Sequence, residues 1–105
     1  MRNAQIVRIW RGSTRTSDAQ EYERYLLDTG FVGYQQTPGN LGVRMTRRDV
    51  GDLTEFFVIS IWESWDSIRA FAGEDIDRAV YYPEDDRFLV TRDDVVAHYE
   101  TFAST

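Results

Sequence analysis

His98 is the only histidine in the sequence, and its ordinary pKa lies closer to neutrality than that of any other side chain present. It falls in the middle of an alternating stretch near the carboxyl end, where a strand is predicted instead of a loop. Such a residue could act as a general base if a ligand proton lies within hydrogen-bond reach. It could equally be a core histidine held by hydrogen bonds, and the sequence leaves both interpretations open.

Arg8 lies between Ile6 and Trp10 on one face of a predicted strand. Burial of an unpaired charge is costly, so an arginine among apolar neighbours is seldom accidental. Its guanidinium could anchor an anionic ligand or a developing oxyanion. Alternatively, it forms an ion pair with Glu63 or Glu100. Trp10, on the same face, is a candidate ligand-binding residue.

Aromatic side chains supply the other candidates for ligand binding. Trp62 shares a strand face with Ser60, a residue that suits the wall of a cavity better than a position beneath a helix. Trp62 could stack a flat aromatic ligand, or fill the core of a dimer with its indole N–H on a carbonyl. Tyr81 and Tyr82 could roof a pocket mouth, or pack against each other in a loop with no ligand.

Composition excludes several classes of function. With no cysteine and one histidine, the chain cannot build a disulfide framework, a thiolate nucleophile or a His/Cys zinc site, and we expect no metal. Dinucleotide, P-loop, serine-hydrolase and EF-hand motifs do not occur. The net charge of -6 has the wrong sign for a nucleic-acid partner. Glu84, Asp85 and Asp86 are interpreted as a solvated loop and not as a metal site.

The length of 105 residues predicts a single domain, residues 1–105, and 42% hydrophobic residues are enough for a packed core. Strands are predicted over residues 6–10, 41–48, 56–62 and 95–102. One helix runs from a capping box at Ser17 and Gln20 to Gly30, and another from the N-cap Ser64 to Gly73. Residues 31–37 are predicted as an extended piece, 76–80 as a short helical piece and 81–88 as an ordered loop.

This order, β-α-β-β-α-β, predicts an α+β protein with the ferredoxin-like fold, in which both long helices lie on one face of an antiparallel sheet. The central strand over residues 56–62 is apolar on both faces, but two short helices can cover only one of them. A second copy packed against the other face would cover it, so we expect a homodimer.

Residues 1–10 lack the pattern of a signal peptide, and no stretch approaches the roughly 20 apolar residues of a membrane span. We therefore expect a cytoplasmic protein with no membrane partner.

Three segments resemble small proteins of the antibiotic biosynthesis monooxygenase superfamily. They are residues 62–73 (Trp-Glu-Ser-Trp-Asp-Ser-Ile-Arg-Ala-Phe-Ala-Gly), 81–84 (Tyr-Tyr-Pro-Glu) and 96–100 (Val-Ala-His-Tyr-Glu). The similarity spans essentially the whole chain and implies a dimeric α+β barrel. Members of the superfamily include oxygenases that oxidise phenolic polycycles without metal or flavin, quinol oxygenases, haem-degrading enzymes and proteins without known activity.

The resemblance implies a monooxygenase-like enzyme without a cofactor, with a small aromatic or phenolic metabolite in the barrel lumen or between helices and sheet. His98 would take a phenolic proton and leave a carbanion able to reduce O2 directly, while Arg8 would steady the oxyanion. The alternative is a non-catalytic ligand-binding or dimeric interaction module of the same fold. Haem-degrading relatives use a helical histidine and an asparagine on the first strand. Here neither long helix carries histidine and Asn3 precedes the first strand, which argues against haem chemistry.

Overall fold

Residues 4–105 are described by a computed structural model, and Asn3 lies outside them. The elements are β1 (Ile6–Arg15), a 3₁₀ turn (Thr16–Asp18), α1 (Ala19–Asp28), α2 (Gly30–Gln36), β2 (Asn40–Val50), β3 (Leu53–Trp62), α3 (Trp65–Ala72), α4 (Asp85–Phe88), β4 (Leu89–Arg92) and β5 (Ala97–Glu100). None of the helices in this part of the chain has the length and apolar character needed to cross a membrane.

The five strands form one antiparallel sheet with β1 and β3 at its centre. β2 pairs with β3 at one edge and forms a hairpin with it. On the other side β1 pairs with β4 through Gly12–Thr14 and with β5 through Ile6–Ile9. The fold is α+β and ferredoxin-like, as predicted. However, β5 covers only residues 97–100 of the strand predicted over residues 95–102, and β4 was not predicted.

The two faces of β3 differ in burial. Phe56, Val58, Ser60 and Trp62 are buried beneath the helices, whereas Leu53, Glu55, Phe57, Ile59 and Ile61 on the opposite face are only partly buried. Strand alternation explains this pattern, because successive side chains point to opposite faces. The expectation that the helices cover one face of the sheet is confirmed.

The helix α3 begins as its sequence predicts. Ser64 accepts a hydrogen bond from the Ser67 amide at 3.1 Å, and the Ser67 hydroxyl accepts one from the Ser64 amide at 3.3 Å. This reciprocal capping box satisfies amides that have no partner within the helix. Gly73, with φ of 90°, ends the helix as expected.

Residues 31–37 are not extended as predicted, because α2 covers most of them. Its β-branched and aromatic residues favoured a strand. However, Gly30 and Tyr34 are buried at a spacing of four, which is one helical turn. A break at Thr29, with φ of -121° and ψ of -84°, separates α2 from α1. Tertiary packing therefore overrides the local preference.

The short helix predicted over residues 76–80 is also wrong. The carbonyls of Ile76 and Arg78 accept hydrogen bonds from the Arg8 side chain, and the Ala79 amide donates to the Asp94 carbonyl at 3.0 Å. These backbone groups are satisfied by distant partners instead of by a helical ladder.

Residues 81–88 are ordered as expected, but they end in the one-turn helix α4, and Asp85 is not solvated. Its side chain is only 3% exposed, so the interpretation of the whole acidic run as a solvated loop was wrong at this residue. Glu84 and Asp86 are exposed.

Candidate functional site

A small cavity, here called the helix–sheet cavity, lies between the helices and the sheet of a single chain. Its volume is about 40 Å³. One water molecule needs roughly 10–15 Å³ measured this way, so the cavity holds a few waters and no ring. The groups on its wall that bear on chemistry are Arg8, Trp10, Tyr22, Tyr81, Tyr82 and Asp85, with Tyr34 and Phe71 beside them.

Arg8 is the buried cation of this wall, and β1 positions it. Its Nη1 donates to the Ile76 carbonyl at 2.5 Å, and its Nη2 to the Arg78 carbonyl at 2.9 Å. Within residues 4–105 no carboxylate lies within 4.0 Å of the guanidinium nitrogens, so the predicted ion pair with Glu63 or Glu100 is wrong. Burial lowers the pKa of Arg8 from its usual value.

His98 lies opposite Arg8 in the β1–β5 pairing and contacts it directly. Its Nε2 is 2.9 Å from the Arg8 Nη1 and its Nδ1 is 3.2 Å from Asp77 Oδ1. Arginine has no acceptor, so Nε2 must accept and Nδ1 carries the hydrogen that Asp77 receives. Burial, then the charge of Arg8, lowers the pKa of His98 against the opposing effect of Asp77. The imidazole therefore sits behind Arg8 and is not on the cavity wall.

Trp10, Tyr81 and Tyr82 are brought together on the wall. The Trp10 indole donates to the Tyr81 hydroxyl at 2.9 Å, and that hydroxyl donates to the Asp93 carbonyl. The ring of Tyr82 lies against α2, where a side chain at Gly33 would come within 2.6 Å of the Tyr82 hydroxyl. Glycine at this helical position therefore makes room for the ring.

Trp62 and Ser60 are fully buried beside the site and do not line the cavity. The Trp62 indole donates to the Ser60 hydroxyl at 2.9 Å, and its ring packs against Phe71 at a centroid distance of 5.3 Å. Trp62 thus lies on the helix side of the sheet, so the interpretation that it fills a dimer core is wrong. Its indole partner is a hydroxyl and not a carbonyl.

Asp85 and Tyr22 form a hydrogen-bonded pair on the wall that the sequence did not single out. The Tyr22 hydroxyl donates to Asp85 Oδ1 at 2.8 Å, and the Tyr82 amide donates to Asp85 Oδ2 at 2.6 Å. Burial, then the nearby Asp85 charge, raises the pKa of Tyr22 well above its usual range. Tyr22 recurs at helical spacing with Tyr25 and Leu26, a signal that could have placed it on the inward face, but nothing local marked Asp85 as buried.

Tyr34 is a second residue that sequence reasoning missed. It stacks on Phe71 at a centroid distance of 4.7 Å and an interplanar angle of 19°. Burial raises the pKa of Tyr34 to about 12, so its hydroxyl stays protonated at neutral pH. Tyr34 thereby adds a neutral hydroxyl and an aromatic face close to Arg8.

No protein-family model matches the sequence, and no curated protein matches it. Solved structures do match over almost their full length. A candidate antibiotic biosynthesis monooxygenase from Nitrosomonas europaea superposes with a TM-score of 0.71 at 14% identity, covering 100% of this chain and 97% of that chain. SnoaB, a cofactor-independent oxygenase from Streptomyces nogalater, gives 0.60 at 15% identity, with coverages of 97% and 95%.

A haem-degrading protein from Mycobacterium tuberculosis, in haem-free form, gives a TM-score of 0.68 at 17% identity, with coverages of 99% and 98%. The class defined by these comparisons is the ferredoxin-like α+β protein. Within that class the chain has the fold of the antibiotic biosynthesis monooxygenase proteins. The resemblance seen in the sequence is confirmed for the fold.

The residues present do not fit haem. His98, the single histidine, has one nitrogen bonded to Arg8 and the other to Asp77, which leaves no histidine nitrogen free to ligate the haem iron. Within residues 4–105, no group of three or more histidine and acidic side chains is placed to hold a metal ion.

Proposed function

We propose that this protein is a monooxygenase-like enzyme that works without a cofactor on a small aromatic or phenolic metabolite in the helix–sheet cavity. The observation that carries the proposal is Arg8, a buried guanidinium on a wall of aromatic rings with no carboxylate partner among residues 4–105. Such a cation favours a ligand whose oxygen bears negative charge. Trp10, Tyr81 and Tyr82 would bind the ring.

In the proposed reaction a ring methylene loses a proton, and the resulting carbanion reacts with O2. A C–O bond forms, and the hydroperoxide loses water to leave a carbonyl. The balance is one CH2 group and one O2 giving one C=O group and one H2O, with the substrate itself as reductant. Arg8 would stabilise the anion through charge-assisted hydrogen bonds. His98 can take the proton only if its Nε2 is released by Arg8, because that nitrogen already accepts a hydrogen bond.

Room for a ring must come from movement of the wall. Residues 73–84 contain no helix or strand, and they carry Tyr81 and Tyr82 over the cavity. A ligand that displaces the Tyr82 ring from α2 would enlarge the cavity between the helices and the sheet. If that segment does not move, the small volume favours the alternative, a dimeric interaction module of the same fold.

The site is tested by Arg8→Gln against the matched control Arg11→Gln. Arg11 is on the same strand with its side chain 62% exposed. Oxygen uptake and thermal shift are measured with a panel of anthrones and quinols. We expect saturable uptake in the wild type and in Arg11→Gln, and a loss of about 100-fold or more in Arg8→Gln. If Arg8→Gln does not fold, Arg8→Lys, which keeps the positive charge, replaces it in the comparison.

Thermal shift without oxygen uptake would favour the binding module. If no compound gives either oxygen uptake or a thermal shift, an aromatic ligand is ruled out.

The proposal includes a homodimer in the cytoplasm, formed through the sheet face that the helices leave uncovered. On that face β3 carries Phe57, Ile59 and Ile61, and β1 carries Val7 and Ile9, all partly buried in the single chain. A contiguous apolar patch of this kind is unusual on a monomer. In a two-fold dimer, the same apolar face of a second copy would pack against this one.

A further inference from the structure

Arg8 brings a positive charge into the interior of the chain. It is 2% exposed, and within residues 4–105 no carboxylate forms a salt bridge with it. His98, whose Nε2 lies 2.9 Å from Arg8 Nη1, is neutral in this contact because that nitrogen must accept. A buried charge without a partner of opposite sign is costly. A small anion in the helix–sheet cavity beside Arg8 would remove this cost.

The guanidinium keeps two hydrogen-bond donors that the chain does not use. Nη1 donates to the Ile76 carbonyl and to His98, and Nη2 donates once, to the Arg78 carbonyl. The Nε hydrogen and the second Nη2 hydrogen therefore have no acceptor among residues 4–105. Nε and Nη2 lie on one edge of the planar group, and such an edge binds an oxyanion through two parallel hydrogen bonds.

The Nε atom of Arg8 faces open space and is not sealed in the core. Within residues 4–105, every fully buried side-chain nitrogen or oxygen has a hydrogen-bond partner. Nε has no such partner, so it is not one of the fully buried atoms. Since Arg8 is almost wholly buried and lines the helix–sheet cavity, the cavity is the space that this atom faces.

The cavity volume of about 40 Å³ sets the size of the ligand. This is the room of about three water molecules, at roughly 10–15 Å³ each. A planar oxyanion of the size of formate or nitrate matches this space, and an aromatic ring does not. The volume in the structure admits such an anion without any displacement of residues 73–84.

Asp85 limits the charge of the ligand, because its carboxylate lies on another part of the same wall. It is 3% exposed, and its oxygens accept hydrogen bonds from the Tyr22 hydroxyl at 2.8 Å and the Tyr82 amide at 2.6 Å. A divalent anion would be repelled by this second negative charge, in surroundings that screen charges poorly. A monovalent anion at the Arg8 end of the cavity is therefore favoured.

We propose that the helix–sheet cavity is a binding site for a small, planar, monovalent oxyanion, held by Nε and Nη2 of Arg8. Formate represents this class of ligand. The site shares Arg8 with the proposed substrate site, but it depends neither on an aromatic ligand nor on oxygen chemistry. A bound anion would compete with an aromatic ligand for the same guanidinium.

The test is an NMR titration of the whole chain with sodium formate, in which sodium sulfate keeps the ionic strength constant. The reporter is the indole N–H of Trp10, which lines the cavity and donates to Tyr81. The Arg8 Nε–H signal, assigned by its loss in Arg8→Gln, is followed in the wild type. We expect both signals to shift saturably with a Kd of about 1–10 mM, because a ligand of so few atoms reaches little more.

Arg8→Gln tests the role of the guanidinium. Its affinity for formate should fall about 10-fold or more, the effect of losing one hydrogen bond to a charged group. Arg11→Gln is the matched control, because Arg11 is on the same strand with its side chain 62% exposed. This variant should bind formate as the wild type does. Circular dichroism establishes that each variant is folded.

A second pair of variants covers the case in which Arg8→Gln does not fold. Gly30 lines the cavity, and a side chain there would first meet Met45 at 3.7 Å, an ordinary contact. Gly30→Ala should weaken formate binding about 3-fold or more, because a methyl group takes the space of about one water molecule. Gln35→Ala is its control, since Gln35 is an exposed position on the same helix.

The inference is overturned if the wild type shows no saturable shift, if Arg8→Gln binds formate as tightly as Arg11→Gln, or if Gly30→Ala binds it as tightly as Gln35→Ala. Formate binding that depends on Arg8, with no response to any anthrone or quinol, would support the inference and contradict the proposed substrate. A response to those compounds that depends on Arg8, with no response to formate, would do the reverse.

Discussion

Arg8 donates to two carbonyls and one imidazole at once, and through them it joins β1, β5 and the segment over residues 73–84. His98 can accept this hydrogen bond only when it is neutral, because a protonated imidazole is a donor at both nitrogens. The protonation state of His98 therefore affects how Arg8 holds the segment over residues 73–84, which carries Tyr81 and Tyr82.

We expect acid to weaken this contact and the stability of the fold. The pKa of His98 is lowered in the folded chain, so its contribution to stability is present above the ordinary value of about 6.5 and is lost as pH falls below it. Urea unfolding at about pH 7.5 and about pH 5 should show a larger loss in the wild type than in His98→Gln, which has an uncharged acceptor. Equal losses in the two proteins would contradict this role of His98.

Single residues were predictable from the sequence where local pattern controls them. Arg8 between Ile6 and Trp10 was expected on the buried face, and it lies there. Asp85 was not predictable, because it follows Pro83 and Glu84 in a polar run and its burial depends on Tyr22, distant in sequence. Hydrogen bonds between remote segments leave no local signature.

At the scale of elements, strand pairing and the Ser64 cap were predictable, and the conformation of the connecting segments was not. The capping box predicted at Ser17 and Gln20 was wrong, because the N-cap residue of α1 is Asp18 and makes no side-chain cap hydrogen bond. The alternation in β3 and the Ser64 cap of α3 are visible in a few neighbouring residues. Residues 76–80 contain helix-compatible side chains, but their carbonyls are taken by Arg8. The helix predicted over residues 76–80 therefore fails because the backbone partners of this segment come from elsewhere in the chain.

The indole of Trp10, part of the aromatic cavity wall, lies against Gly12, two residues along β1. A side chain at Gly12 would come within 2.6 Å of Trp10 Cη2 and 3.2 Å of the Thr91 carbonyl oxygen. Gly12→Ala should therefore destabilise the protein by about 1–3 kcal/mol in urea unfolding, the usual cost of overpacking.

The control for this substitution is Gly30→Ala in α2. A side chain there would first meet Met45 at 3.7 Å, an ordinary contact, and alanine is the better helix former. Its stability should equal or exceed that of the wild type. If Gly12→Ala were as stable as Gly30→Ala, the indole would not be held against β1.

For the whole molecule, the question is what covers the second face of the sheet. The helices bury one face, and the other presents Phe57, Ile59 and Ile61 beside Val7 and Ile9. Exposed charged side chains border this patch, with Arg11 opposite Phe57 and Arg48 opposite Glu55. An apolar centre with a polar rim is the usual anatomy of a protein interface.

We expect light scattering at micromolar concentration to give twice the chain mass of 12.3 kDa. Ile59→Lys should abolish the dimer, because it places a second cation opposite Arg44 at the centre of the apolar face, where burial of an unpaired charge is costly. Leu27→Lys is the matched control, since Leu27 is 51% exposed on α1, on the helix side of the sheet. It should remain dimeric. A folded wild-type monomer, or a dimer that tolerates Ile59→Lys, would show that another surface or no surface joins two copies.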